Sequence, residues 1–230
     1  MNHSHQPEQK ITSSIGVTTV EEVEEQNKFP YWSLLALAAA GFITILTEAL
    51  PAGLLSQIAQ SLNVTEALAG QWVTIYAIGS LVAAIPLTAA TQRISRRAVL
   101  MATLFGFLIA NTVTATSANF ALIMVARFIA GVCAGLLWAL LAGYAARLVP
   151  DGQKGKAIAV AMVGTPLALS LGVPAGTYLG QFVSWRLCFG LISMMALLLL
   201  IWVRLQVPNF PGVTKQQPLR IKSVLRISGV

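Results

Sequence analysis

The chain has 230 residues, 56% of them hydrophobic and only 10% charged, with a mean hydropathy of +0.74. A soluble domain carries roughly 25% charged residues, so this sequence cannot cover a water-exposed surface, and the bilayer is its natural solvent. The formal net charge is +7, but the basic residues sit in short segments between apolar runs, which argues against a nucleic-acid partner and for loops held against anionic lipid headgroups.

Residues 1–30 read as a polar, disordered cytoplasmic tail. Five of the eight acids fall there, at Glu8, Glu21, Glu22, Glu24 and Glu25. No basic segment precedes the first apolar run, so a signal peptide is not expected. His3 and His5 are too few ligands for a closed metal site. Six apolar runs follow, at 32–56, 67–90, 98–116, 120–146, 157–182 and 187–205. Each approaches the ~20 residues a helix needs to cross the hydrocarbon core. Barrel strands would alternate instead, so the fold class is an all-α membrane bundle with a six-helix domain over 31–207. Residues 208–230 read as a basic cytoplasmic linker cut short before a seventh helix. Cys133 and Cys188 lie inside apolar runs without a CxxC partner and read as small apolar side chains.

Orientation follows from the loops. Arg93, Arg96 and Arg97 follow the second run, and Arg147, Lys154 and Lys156 follow the fourth. Arg204, Lys215, Arg220, Lys222 and Arg226 end or follow the sixth. The other loops hold Arg186 alone. Positive residues stay inside, so the even loops and the N-terminus are expected in the cytoplasm. There is also an internal echo. Pro86 stands about three turns before a polar turn with Ser95 and Arg97, and Pro174 stands likewise before Ser184 and Arg186. Runs 1–3 and 4–6 are therefore predicted to be two copies of one unit, inverted because each copy holds an odd number of spans.

Two ionisable residues lie deep in the spans, Glu48 and Arg127. A charge at membrane depth costs at least ~2.5 kcal/mol, so each needs a partner or a wet cavity. Helical rise places Glu48 about 24 Å from the inner edge and Arg127 about 10 Å below the outer edge. In a core about 30 Å thick the two depths agree within about a turn. The pair is expected to meet, directly or through water, as a proton-titrating couple. The competing reading is a static pair that only fixes packing. Gly131 and Gly135 form a GxxxG step after Arg127. Gly164, Ala168, Gly172, Gly176 and Gly180 form a ridge of small residues on the fifth run, a surface against which another helix can approach closely. Pro166 and Pro174 interrupt the backbone ladder of that run. Gln71, Tyr76, Asn111 and Trp138 are candidate cavity residues. Asn63 and Thr65 match a glycosylation pattern in an outer loop.

These residues resemble the major facilitator superfamily, in particular its twelve-helix drug:proton antiporter branch and the bacterial sugar-efflux exporters within it. The resemblance spans about 32–212. It rests on the first run around Glu48 and Pro51, the loop from Thr88 to Arg97, Arg127 to Gly131, Gly164 to Gly176 with Pro174, and Trp185, Arg186 and Phe189. It implies that Glu48 and Arg127 take part in proton coupling, that Gln92, Arg93, Arg96 and Arg97 form a gating loop, and that Gly164, Gly172, Pro174 and Gly176 form the antiporter motif. Thr88, Gln92 and Ser95 stand where the gating pattern has glycine, aspartate and glycine, which puts the cytoplasmic lock of that family in doubt here.

The resemblance implies secondary active export of small organic solutes, sugars or drugs, by proton antiport in the bacterial inner membrane. The partners implied are the solute, the bilayer, and a missing C-terminal half or a second copy of the chain. The proton gradient is the only energy source expected, with no cofactor and no metal. The alternative is a truncated half that does not transport and only binds a partner. HExxH, GxSxG and nucleotide-binding patterns are absent from the sequence, so an enzyme or an ATP-driven pump is not expected.

Overall fold

The computed structural model describes residues 29–212. The expected tail over 1–28 and most of the expected linker, 213–230, lie outside the described residues. Six stretches are long and apolar enough to cross a membrane. Span 1 is α1 (Tyr31–Gly53), extended after Leu54 by α2 (Leu55–Leu62). Span 2 is α3 (Glu66–Ala90), span 3 is α4 (Arg96–Thr116) and span 4 is α5 (Phe120–Arg147). Span 5 is broken into α6 (Lys154–Met162), α7 (Gly164–Leu167), a π-turn (Ala168–Gly172) and α8 (Val173–Phe182). Span 6 is α9 (Trp185–Gln206).

The sequence expectation of an outer loop over 57–66 is corrected. Helix continues to Leu62, because Ile58 and Ala59 find buried positions on the core side. The chain then turns at Asn63, which takes a left-handed conformation with φ of 53°, and Thr65 caps span 2 by accepting from the Leu68 N–H at 3.3 Å. Asn63 and Thr65 therefore stop one helix and start the next. Spans 4 and 6 are capped similarly. Asn119 accepts from the Leu122 N–H at 3.2 Å, and Ser184 from the Arg186 N–H at 3.3 Å.

Burial separates the spans. The apolar windows of spans 1 and 4 are 67% and 50% buried, whereas those of spans 2 and 5 are 17% and 22% buried, so spans 1 and 4 form the centre. Span 4 packs on spans 2 and 3, span 1 packs on spans 5 and 6, and spans 3 and 6 pack on each other. Exchanging 1 with 4, 2 with 5 and 3 with 6 leaves this pattern unchanged. The two inverted three-helix repeats are thus visible in the packing.

Glycines make both close crossings. A methyl group built on Gly131 or Gly135 would run into the backbone carbonyl of Tyr76 or Ser80 on span 2, and one on Gly79 would run into the Phe128 carbonyl on span 4. Along span 5, methyls on Gly164, Gly172, Gly176 and Gly180 would meet Ala38, Phe42, Leu50 and Leu54 of span 1. The small-residue ridge is therefore the contact face between spans 5 and 1. A second sign of the two-fold lies at the ends of spans 3 and 6. Arg97, near the start of span 3, donates to the Val207 carbonyl after span 6 at 3.3 Å. Arg186, near the start of span 6, donates to the Ala115 carbonyl at 3.2 Å and to the Ser117 carbonyl at the end of span 3. Each antiparallel helix places a cation on the other's free carbonyls, where the helix dipole favours it.

Gly131→Ala is expected to lower thermal stability in detergent by about 1–3 kcal/mol, because two backbones must separate. Gly190→Ala, where an added methyl meets nothing within 4 Å, is expected to leave stability unchanged or raise it by about 0.5–1 kcal/mol. Equal melting temperatures for the two variants would contradict the close-crossing account.

Candidate functional site

The site is built on the last three turns of α1. Thr44 and Thr47 are fully buried there, and Glu48 is half-buried. Three neighbouring spans reach this one segment. Tyr76 of span 2 donates its hydroxyl to the Thr44 carbonyl at 3.2 Å. Asn111 of span 3 donates Nδ2 to Thr47 Oγ1 at 3.1 Å. Arg127 of span 4 donates Nη2 to the Thr47 carbonyl at 2.5 Å.

Arg127 has no solvent exposure. Its Cζ lies 5.0 Å from the centre of the Tyr76 ring and 5.7 Å from that of Phe189. Both distances are within the range where a ring quadrupole attracts a cation. Phe189 belongs to a larger aromatic knot with Trp72 and Trp185, whose ring centres are 5.5 Å apart. Among the described residues, Nε and Nη1 of Arg127, Oδ1 of Asn111 and the indole N–H groups of Trp72 and Trp185 have no hydrogen-bond partner. The interior therefore has spare donors and one spare acceptor around a buried cation. Such groups are served by small polar molecules or by water.

Of the two expected ways for Glu48 and Arg127 to meet, directly or through water, the direct one is not formed. The ion pair found among the described residues is Asp151–Lys154 at 2.6 Å, and the Glu48 carboxylate lies beyond 4 Å from the guanidinium. Arg127 instead binds the carbonyl of the preceding residue and two aromatic faces, so the cation is held without consuming the carboxylate.

The other expected site residues divide. Tyr76 and Asn111 belong to the cluster. Gln71 is exposed on span 2 and stands apart from it. Trp138 packs against span 1, where a methyl on Gly41 would sit 3.7 Å from its ring. In the 2–3 loop, Gln92 and Arg93 are exposed, whereas Arg96 and Arg97 are half-buried. These two hold the chain that leaves span 6: the Arg96 N–H donates to the Phe210 carbonyl at 3.0 Å, and Arg97 donates to Val207. Tyr144 of span 4 donates to the Pro208 carbonyl at 2.5 Å and stacks edge-on against Phe210. Beside this strap, Thr88, Gln92, Arg96, Tyr144 and Arg147 line a cavity of about 300 Å³. Gly164, Gly172 and Gly176 face span 1, and Pro174 opens α8 just after the π-turn. Thr44, Thr47, Trp72 and Phe189 were not foreseen as site residues. Thr47 carried a readable signal, its place beside Glu48.

Two inverted three-helix repeats, with a carboxylate and a buried arginine at their centre, define a multi-pass membrane bundle with the repeat architecture found in secondary transporters. The sequence model of the Major Facilitator Superfamily matches residues 37–228. The chain belongs to this family. A curated relative from Haemophilus influenzae (strain PittGG), described as "Probable sugar efflux transporter", is 33% identical over 185 residues, which is 80% of this chain and 47% of the relative. Among solved structures, a D-xylose–proton symporter superposes with a TM-score of 0.71 at 21% identity, over 87% of this chain and 53% of that one. The xylose transporter of E. coli in an inward-open conformation gives 0.66 at 21% identity, over 76% and 47%. The chain thus spans about half the length of the proteins it matches, and the structural likenesses speak for the fold.

Tyr76→Phe keeps the ring beneath Arg127 and removes the bond to Thr44, so stability should fall by about 0.5–1.5 kcal/mol. Tyr76→Leu removes the π-face as well and should cost more. Chemical unfolding in mixed detergent micelles checks the order. A phenylalanine variant as unstable as the leucine one would mean that the ring contributes nothing to holding the cation.

Proposed function

We propose that this chain is the N-terminal half of an exporter that moves small organic solutes, sugars foremost, out of a bacterial cell in exchange for protons. The observation that carries the reading is Glu48, a half-buried carboxylate in the middle of the bundle, close to a fully buried arginine and yet not bonded to it. A carboxylate at membrane depth without a fixed partner is suited to gain and lose a proton as access alternates. Protonation removes the negative charge beside Arg127 and weakens the attraction between spans 1 and 4. Deprotonation restores it. Solute recognition draws on side chains of this unit and of a second six-helix unit together. The sugar assignment is supported by the printed description of the Haemophilus relative. The need for a second unit is supported by the poorly buried faces of spans 2 and 5, which expose Leu81, Ile85 and Phe182. The arginine-bearing even loops support an N-terminus in the cytoplasm.

Flux of labelled sugars in vesicles with an imposed pH gradient tests the activity, with the chain co-produced with a six-helix C-terminal half from a relative. Glu48→Gln, which cannot ionise, is expected to lower gradient-driven flux at least ten-fold while leaving the chain folded. Undiminished flux in that variant would remove Glu48 from the coupling step. Orientation is checked separately by single cysteines. Introduced at Asn63, a cysteine should react with an impermeant maleimide added to intact cells, and one at Gln92 should react only after lysis. The reverse pattern would invert the topology.

A further inference from the structure

In an α-helix the carbonyl of residue i accepts the N–H of residue i+4. Four residues after Thr47 stands Pro51, which has no N–H, and its ring crowds the carbonyl of residue i−4. α1 nevertheless runs through Pro51 as far as Gly53, with Pro51 itself buried. The Thr47 carbonyl therefore has no N–H to accept from position 51, and a buried carbonyl in an apolar medium is costly to leave unpartnered. This is the carbonyl that Arg127 Nη2 reaches, at 2.5 Å. The Thr44 carbonyl, by contrast, can keep its helical partner at Glu48 and still receive the Tyr76 hydroxyl. The guanidinium has selected the acceptor that the proline vacates.

We propose that Pro51 is a positioning residue of the site: by withholding an N–H from the Thr47 carbonyl, it supplies a fixed acceptor that seats Arg127 on span 1 and keeps it off the Glu48 carboxylate. The functional part of this inference rests on the reading of Glu48 as the coupling residue. The geometry fits a one-point seat. Nη2 is engaged by Thr47, Asn111 holds the Thr47 side chain in place, and the rings of Tyr76 and Phe189 flank the guanidinium. Nε and Nη1 stay without a partner among the described residues. A guanidinium seated in this way satisfies its own charge and the orphan carbonyl together, so neither demand falls on Glu48. With an N–H restored at position 51, the carbonyl is shared with the helix ladder and its hold on the cation weakens, which frees the guanidinium to turn to the Glu48 carboxylate or to the unpartnered Oδ1 of Asn111.

The test compares Pro51→Ala, which restores the N–H, with lactic acid incorporated at position 51 by nonsense suppression. The lactate ester has alanine's side chain but no N–H. The first readout is the unfolding equilibrium of the full chain in mixed micelles, with and without Arg127→Met; Arg127→Lys serves where the methionine chain does not insert. Replacing Arg127 is expected to shift that equilibrium about ten-fold more in the proline and ester chains than in the Pro51→Ala chain, the size of a hydrogen bond to a charged group. Equal shifts in all three backgrounds would overturn the proposal. The second readout is gradient-driven flux in the assembly with a C-terminal half. Flux should fall several-fold in Pro51→Ala and return with the ester; an ester that behaves like alanine means that the ring and its kink matter, not the missing donor, and also overturns the proposal. Because unfolding is read without transport, the two claims fail separately. Coupling between positions 51 and 127 with flux indifferent to Glu48→Gln refutes the coupling reading and leaves the seat standing.

Discussion

One cation decides how this bundle is put together. Arg127 sits at membrane depth with no exposure, where hydration cannot compensate its charge and where an isolated charge costs at least ~2.5 kcal/mol. The surroundings meet that demand with dipoles and π-faces: a backbone carbonyl of span 1, the ring of Tyr76 from span 2 and the ring of Phe189 from span 6. Three spans are thus drawn onto the fourth by a single side chain. Asn111 brings in span 3 through Thr47. What remains, span 5, carries no part of the polar cluster and is joined instead by shape, through glycines that admit Ala38, Phe42 and Leu50. In lipid no hydrophobic effect drives helices together, so polar contacts and close packing of small residues must do it. This bundle uses the first at its centre and the second at its two flanking crossings.

The internal two-fold shows where these devices are equivalent and where they diverge. Arg97 and Arg186 occupy matching places and perform matching tasks, each closing the carbonyl end of its antiparallel neighbour. The glycine crossings of spans 2 with 4 and of spans 5 with 1 also correspond. The symmetry breaks at the charges. Span 1 carries the acid and span 4 the base, and only span 1 carries a proline in the turn after its ionisable residue. Symmetric packing makes a stable frame, and the functional polarity comes from the few positions where the copies differ.

Much of this was legible in the sequence because the membrane narrows the choices. Six long apolar runs leave no other secondary structure, and Gly131, Gly135 and the span 5 glycines mark close crossings by their spacing. The echo between Pro86–Arg97 and Pro174–Arg186 announced the repeat, although the reciprocal carbonyl contacts made by Arg97 and Arg186 could not be read from it. Arg127 and Glu48 stood out as ionisable residues at depth. The true acceptor of Arg127 was hidden because a backbone carbonyl has no sequence signature of its own. It becomes visible only when a proline four residues downstream is counted as a missing donor. Likewise, the helix beyond Ser56 was taken for loop because Gln57, Gln60 and Ser61 are polar, whereas Ile58 and Ala59 face the core.

The distribution of rigid and yielding contacts bears on how such a bundle moves. Spans 3 and 6 are clamped at both ends, and on the loop side the strap over 207–212 adds bonds from Arg96 and Tyr144. Span 1 is fastened to spans 2, 3 and 4 by hydrogen bonds near its centre. Span 5 has neither kind of fastening to span 1 among the described residues, and its bond to span 6 is the weak one from the Cys188 thiol to the Gly176 carbonyl at 3.8 Å. Its ladder is interrupted by Pro166, by the π-turn and by Pro174, and its contact with span 1 is smooth. Sliding along a glycine face breaks no hydrogen bond, whereas displacing span 4 from span 1 exposes a buried cation. Motion within the unit is therefore expected first at span 5, and the alternating access of the proposed exporter is left to rigid-body rocking of the whole bundle. In that division of labour the seat of Arg127 holds the repeats in register while the flanking helix yields, and the proton exchange proposed for Glu48 falls at the place where the two behaviours meet.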